Sequence, residues 1–155
     1  MTVDYTEKCD DKSSIGILCY QIATLSKQKS EAMFQQASLN ISTDQAWILA
    51  KANEKGREGV YQSELVTKEQ IVGAKSQVSR LIQDLVEKDY LLRRVDPNDR
   101  RQTYLIMTHE GMKVLQQVEE IILKRKNSYL HSLSPEEYRT LLVLLHKALH
   151  AVQNY

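Results

Sequence analysis

The sequence predicts a mainly α-helical protein with a small β-wing. Helical apolar periodicity runs through most of the chain, and Ser or Thr stands where three of the helices would open. One stretch breaks the pattern. "YLLRRVDPNDRRQTYLIMT", Tyr90 to Thr108, reads as two strands about a turn in which Pro97 presets φ and Asn98 tolerates left-handed geometry. Four arginines, Arg93, Arg94, Arg100 and Arg101, flank that turn, and a hairpin this short must be carried by something larger.

At 155 residues the chain can bury one sizeable core, so a single domain spanning 1–155 is expected. An apolar fraction of 42% with 26% charged residues fits a globular protein and argues against disorder. The formal net charge of +1 argues neither for nor against nucleic acid, so any anion-binding surface has to be local. The opening "MTVDYTEKCDDKSS" is polar and acidic-leaning, unlike a secretory signal, and no apolar run approaches a membrane span. A cytoplasmic protein without a membrane partner is expected. Cys9 and Cys19 form no CxxC pair, which argues against a disulfide framework or a zinc knuckle.

The first helix is expected from about Ser14 to Gln36, with Leu18, Ile22 and Leu25 on one face. "NISTDQAWILAKANEKG" supplies Ser42 or Thr43 as N-cap of the second and Gly56 as its stop. A third short helix is expected over "YQSELVTKEQIV". After Gly73, "AKSQVSRLIQDLVEKDY" places Val78, Leu81, Ile82 and Leu85 at i, i+3, i+4 and i+7, an inward stripe. Lys75, Ser76, Gln77, Arg80 and Gln83 share the opposite face, rich in groups that can donate hydrogen bonds. The hairpin follows. Thr108 then opens a helix carrying Met112, Leu115, Val118 and Ile122. After a break at His131 to Leu133, Ser134, Pro135 and Glu137 form a capping box for the last helix. That helix carries Leu141, Leu142, Leu144, Leu145 and Leu149 around most of its circumference, and so short a chain has few other elements to cover it, so a symmetric dimer of interleaved terminal helices is expected, a well-buried central helix in a monomer being the alternative.

Helices three and four followed by a two-stranded wing make a winged helix-turn-helix. In that geometry the fourth helix enters the major groove. Arg80 and Lys75 suit guanine or phosphate, Gln77 and Gln83 suit adenine, and Ser76 and Ser79 can contact bases or backbone. Arg100 and Arg101 lie at the wing tip, where a planar cation can enter an electronegative minor groove, and Arg94 lies on the wing behind them. Asp96 and Asp99 are expected to hold the guanidinium forks in one orientation by charge-assisted hydrogen bonds.

From Gln62 to Gly111 the chain resembles the MarR family of bacterial transcription regulators, with "ELV", "VSRLIQDLVEKDYLLRR", "DPNDRR" and "LIMTHEG" in order. Asp99-Arg100-Arg101 within "DPNDRR" is the specific part, and "LSPEEYRTLLVLL" extends the likeness over almost the whole chain. The resemblance implies dimerisation helices at about 14–36 and 109–153 and a winged helix-turn-helix lobe at about 42–108. It implies that Arg101 is the minor-groove arginine oriented by Asp99, that Gln77, Ser79 and Arg80 face the major groove, and that a small-molecule effector releases a pseudo-palindromic double-stranded operator. There are two departures. Asp89 stands where the family usually has glycine, in a place where a left-handed C-cap is expected, and the segment between Leu65 and Val78 is two residues longer than usual.

Tyr20 and Trp47 are candidate pocket walls, with core packing the plainer reading of each. "ILCYQIA" around Cys19 resembles the sensing segment of the family's organic-hydroperoxide branch, but the expected tyrosine partners are missing, Met33 and Asp44 lying near the matching offsets. A buried, inert Cys19 is the plainer expectation. Cys9 falls in a polar tail. His146 and His150, at i and i+4, could share a metal, but two ligands make no site, so neither metal nor cofactor is expected. No GxSxG, HExxH, P-loop or GxGxxG is present, and "THEG" lacks a second histidine, so no enzyme is expected. A winged-helix protein-interaction module is the competing class; it leaves Arg100 and Arg101 without a target.

Overall fold

A computed structural model describes residues 14–66, 75–130 and 132–154, with side chains for all of these except 126–130. Cys9, His131 and residues 67–74, which hold the second half of the expected third helix and most of the longer segment after Leu65, lie outside the described residues. Helix α1 spans Ile15–Gln36 and α2 Thr43–Lys55, followed by strand β1 at Val60–Tyr61 and a 3-10 turn at Glu64–Val66. Helix α3 is Lys75–Glu87, the hairpin is β2 (Leu91–Val95) and β3 (Thr103–Met107), and helices α4 (His109–Leu130) and α5 (Pro135–Gln153) complete the chain.

Two differences from expectation concern the segment before α3. Where a helix was expected to begin, Val60 and Tyr61 form a strand, and among the described residues of that segment Glu64–Val66 forms a single tight 3-10 turn. The hairpin therefore belongs to a three-stranded antiparallel sheet in the order β1-β3-β2, with Val60 opposite Leu105 and Tyr61 opposite Tyr104.

The caps follow the local chemistry. Ser42 accepts from the Gln45 amide at 3.2 Å while the Gln45 side chain accepts from the Ser42 amide at 2.9 Å, and Ser134 and Glu137 repeat the arrangement at α5. Gly56 ends α2 with φ +56°. The C-terminus of α3 is a Schellman motif: Tyr90 N donates to Leu85 O at 2.9 Å, Asp89 N donates to Val86 O at 3.0 Å, and Asp89 takes φ +58°. Asp89 thus adopts the left-handed backbone expected of it, and Ser38 does the same after α1 at φ +58°.

The chain divides into two compact units within α4, the first ending at Gln116 and the second beginning at Gln117. In the first, Phe34, Ile48, Leu49, Val78, Ile82, Leu85, Leu91 and Leu105 have no exposed surface, so α1, α2, α3 and the sheet share one core. Along α4, Val114, Leu115 and Val118 are buried, whereas Met112 and Ile122 are exposed. In α5 no residue is buried.

The base of α3 is tied to α2 by one carboxylate. Asp84 accepts from Gln45 Nε2 and, at 2.5 Å, from Lys88 Nζ, which also donates to Asn40 O at 2.9 Å. The Lys88 ammonium, then the Gln45 amide, hold the Asp84 carboxyl below its ordinary range. A depressed carboxylate pKa stabilises the fold fully above the unfolded value of about 4 and stops doing so as pH falls through the folded value. Asp84→Asn is therefore expected to cost at most about 1 kcal/mol at pH 7, the group being partly exposed, and to cost nothing in acid. Urea melts at pH 7 and pH 3 check this; a deficit unchanged at pH 3 would place its cause elsewhere.

Candidate nucleic-acid interface

Helix α3 turns Val78, Ile82 and Leu85 into the core, which leaves Lys75, Ser76, Gln77, Arg80 and Gln83 exposed on the other side. This is the face read from the sequence. Ser79 is half-buried, and its hydroxyl accepts from Gln62 Nε2 at 2.9 Å. Gln83 is also engaged, accepting from Arg93 Nη1 at 3.2 Å and donating to Glu87 Oε1 at 2.9 Å. Arg93, which sequence reasoning passed over in favour of Arg94, thus joins the wing to the exposed face of α3. Both are exposed charged residues on one strand, and alternation alone does not say which side faces the helix.

The wing pairs Leu91 with Met107 through to Val95 with Thr103, and residues 96–102 form its tip. Asp96 and Asp99 build that tip, though not as expected. Asp96 Oδ1 accepts from the amides of Asn98 at 2.7 Å and Asp99 at 3.3 Å, and Oδ2 accepts from the Tyr61 hydroxyl at 2.5 Å. Asp99 accepts from the Arg101 amide at 3.0 Å and from Gln102 Nε2 at 3.1 Å. Neither carboxylate holds a guanidinium. An aspartate reaches an amide two residues on within its own turn, so these local bonds form in place of the fork. Asp99 orients Arg101 through the backbone.

Asp96 is buried, and the Tyr61 hydroxyl, followed by the Asn98 amide, holds its carboxyl below the ordinary range; the same bond raises the Tyr61 phenol. Arg94, Arg100 and Arg101 are exposed, and among the described residues none forms an ion pair. Between the wing and the start of α3 lies a cleft of about 440 Å³ lined by Gln62, Ser63, Val66, Lys75, Arg101, Gln102 and Thr103. It presents two cations, two amides and two hydroxyls, and no carboxylate among the described residues. That composition suits a phosphate. Only Lys75 and Arg101 of this set were singled out from sequence; the rest are brought in by β1 and its pairing with β3.

The other candidates are dispersed. Cys19 is exposed rather than buried. Tyr20 is 72% exposed and so is not core, while Trp47 is half-buried with Lys51 Nζ 6.0 Å from its ring centre. Neither lines the wing cleft or the roughly 640 Å³ cleft around the α1–α2 turn. Asp44, near a sensing offset, is paired with Lys27 at 2.8 Å. His146 and His150 are exposed on α5, and no cluster of three metal-ligating side chains occurs among the described residues.

This arrangement of helices, sheet and wing defines a winged helix-turn-helix protein. Among solved structures it is similar to the MepR–DNA complex of S. aureus, with a TM-score of 0.79 at 23% identity over 90% of this chain and 99% of that one. It is similar also to ligand-free MarR of E. coli, with a TM-score of 0.73 at 20% identity over the same shares. The fold is that of the MarR family of winged-helix regulators. No family model matches the chain. A Thauera aromatica protein named for transcriptional regulation of the hcr operon is 31% identical over 71 residues, which are 46% of this chain and 43% of that relative. The chain thus spans under half the length of that relative. Among the described residues, no helix is long and apolar enough to cross a membrane.

Proposed function

We propose that this protein is a sequence-specific, dimeric DNA-binding transcription regulator of the cytoplasm, a repressor released by a small-molecule ligand. One observation carries the reading: a cleft with no carboxylate among the described residues joins the exposed donor face of α3 to a wing tip whose guanidinium groups form no ion pair within those residues. A fold shared with a protein seen bound to DNA supports it. Gln77, Ser79 and Arg80 face the major groove, with Lys75, Ser76 and Gln83 at its edges, and Arg101 enters the minor groove with Arg100 beside it at the wing tip and Arg94 behind them on the wing. Two copies set their recognition helices one helical turn apart, about 34 to 36 Å, on a pseudo-palindromic site. The whole chain acts as one domain, its terminal helices joining the copies. The small-molecule effector comes from the family resemblance alone.

The test is titration of the purified protein against duplexes flanking its own gene in rising salt. Arg101→Ala is expected to weaken binding roughly tenfold on every duplex and to reduce the salt slope by about 1. Gln77→Ala or Arg80→Ala is expected to relax sequence preference by about 1 to 3 kcal/mol at single positions. Equal binding by Arg101→Ala and the unaltered protein would remove the wing from the interface. The exposure of Cys19 supports an oxidant arm in the same titration. Binding abolished by peroxide and restored by a thiol reductant would make the switch a thiol; indifference would leave the small molecule.

A further inference from the structure

Tyr61 belongs to β1, the short strand added to the wing by pairing with β3, and its own partner there is Tyr104. The sheet order β1-β3-β2 separates it from β2 by one strand, yet its hydroxyl donates at 2.5 Å to Asp96, the residue that follows β2. The phenol side chain therefore spans β3. Two constraints fix where it begins. The β1–β3 pairing and the Gln62 N to Thr103 O bond at 3.1 Å hold its backbone, and an edge-on packing against Tyr104, ring centres 6.2 Å apart at 64°, holds its ring.

The acceptor is not a free surface carboxylate. Asp96 is 9% exposed, and its other oxygen organises the turn by accepting from Asn98 and Asp99. Asp99 in turn accepts from the Arg101 amide, and Gln102 N donates to Asp99 O at 2.9 Å. An unbroken chain of hydrogen bonds thus runs from the lobe through Tyr61, Asp96 and Asp99 to the backbone of Arg101. Without its first link the tip keeps its own backbone closure, Asp96 N donating to Gln102 O at 3.0 Å, but loses its side-chain tie to β1 and is held by the β2–β3 ribbon alone.

We propose that Tyr61 is a positioning residue for the wing: its hydroxyl clamps Asp96, and through it the direction in which Arg100 and Arg101 are presented to the minor groove. The role rests on the DNA-binding reading above. It makes the wing a preorganised arm, so that the entropy of ordering its tip is lost on folding rather than on binding.

The test combines two readouts on the full-length chain. Tyr61→Phe keeps the ring and removes the donor. Hydrogen exchange at the Asn98 and Asp99 amides is expected to speed up roughly tenfold, and affinity for the specific duplex to fall roughly five- to tenfold, with the oligomeric state unchanged and the melting temperature lowered by no more than a few degrees, since the buried Asp96 carboxylate loses one donor. In an Asp96→Ala background, where the clamp has no acceptor, adding Tyr61→Phe is expected to change neither readout. If the unaltered protein binds DNA and Arg101→Ala weakens it, but Tyr61→Phe binds as tightly as the unaltered chain, the positioning role is overturned and the functional reading stands. Unchanged amide exchange in Tyr61→Phe overturns the clamp itself. Absence of specific DNA binding by the unaltered protein overturns the functional reading and, with it, the role assigned to Tyr61.

Discussion

Gly111→Ala is expected to destabilise the winged lobe by about 3 kcal/mol, the upper end of what overpacking costs, and to lower its melting temperature by roughly 6 to 12 °C. Gly111 is buried in the first turn of α4, where that turn crosses the chain between α3 and β2. A Cβ there would stand 2.2 Å from Tyr90 O, 3.0 Å from Tyr90 C and 3.0 Å from Met107 Cγ. The methionine can move but the carbonyl cannot. Tyr90 O accepts from Thr108 N at 3.1 Å, and the Thr108 hydroxyl, within reach of both Asp89 O and Tyr90 O, also accepts from Gly111 N at 2.9 Å. Displacing Tyr90 would break the Thr108 cap, the left-handed turn at Asp89 and the start of β2 together. The same substitution at Gly16 is an internal control. There an added Cβ meets nothing nearer than Ser14 Oγ at 3.5 Å, so Gly16→Ala is expected to be neutral or to stabilise α1 by up to about 1 kcal/mol. Calorimetry of the two variants checks both signs. Equal melting of Gly111→Ala and the unaltered chain would show that the crossing relaxes at little cost.

Gly111 lies in "LIMTHEG", a stretch that points to a capped helix after a strand, and that much was legible. The requirement for glycine was not, because it arises from Tyr90, twenty-one positions earlier, and only the fold brings the two together. The same division runs through the rest of the molecule. Periodicity placed α1, α2, α3, α4 and α5, and the turn residues placed the hairpin, since each of these signals is local. Strand β1 escaped notice: two residues carry no period, and its existence depends on pairing with Leu105 and Tyr104. The donor face of α3 was legible because a clean apolar stripe defines its opposite. The wing carboxylates were misassigned because "DPNDRR" puts them beside arginines in sequence, whereas the amides of their own turns lie closer in space. Nothing in the sequence pairs Tyr61 with Asp96, thirty-five positions later; only the β1–β3 pairing brings them together.

On the proposed dimeric, DNA-binding reading, Leu144→Asp is expected to yield a monomer and to weaken specific DNA binding by at least a hundredfold. Helix α5 buries none of its residues, and Leu141, Leu142, Val143, Leu144, Leu149 and Val152 are each between 39% and 75% exposed. Helix α1, in the other compact unit, exposes Ile15, Ile17, Leu18, Tyr20, Ile22 and Leu25. A free soluble monomer seldom presents apolar patches of this kind, and each is relieved if a second copy covers it. A carboxylate placed among these leucines would have to be desolvated on association, a cost of several kcal/mol that one apolar contact does not offset. Because the operator reading has each copy occupy one half-site, loss of the dimer also removes the gain of roughly 10² to 10⁴ that comes from joining two binding events. Folding is expected to survive, since Leu144 contributes to no buried core within the chain. Sedimentation at micromolar concentration, circular dichroism and duplex titration separate the outcomes. A Leu144→Asp variant that is helical, dimeric and tight-binding would move the interface off α5, leaving the exposed face of α1 as the surface to alter next.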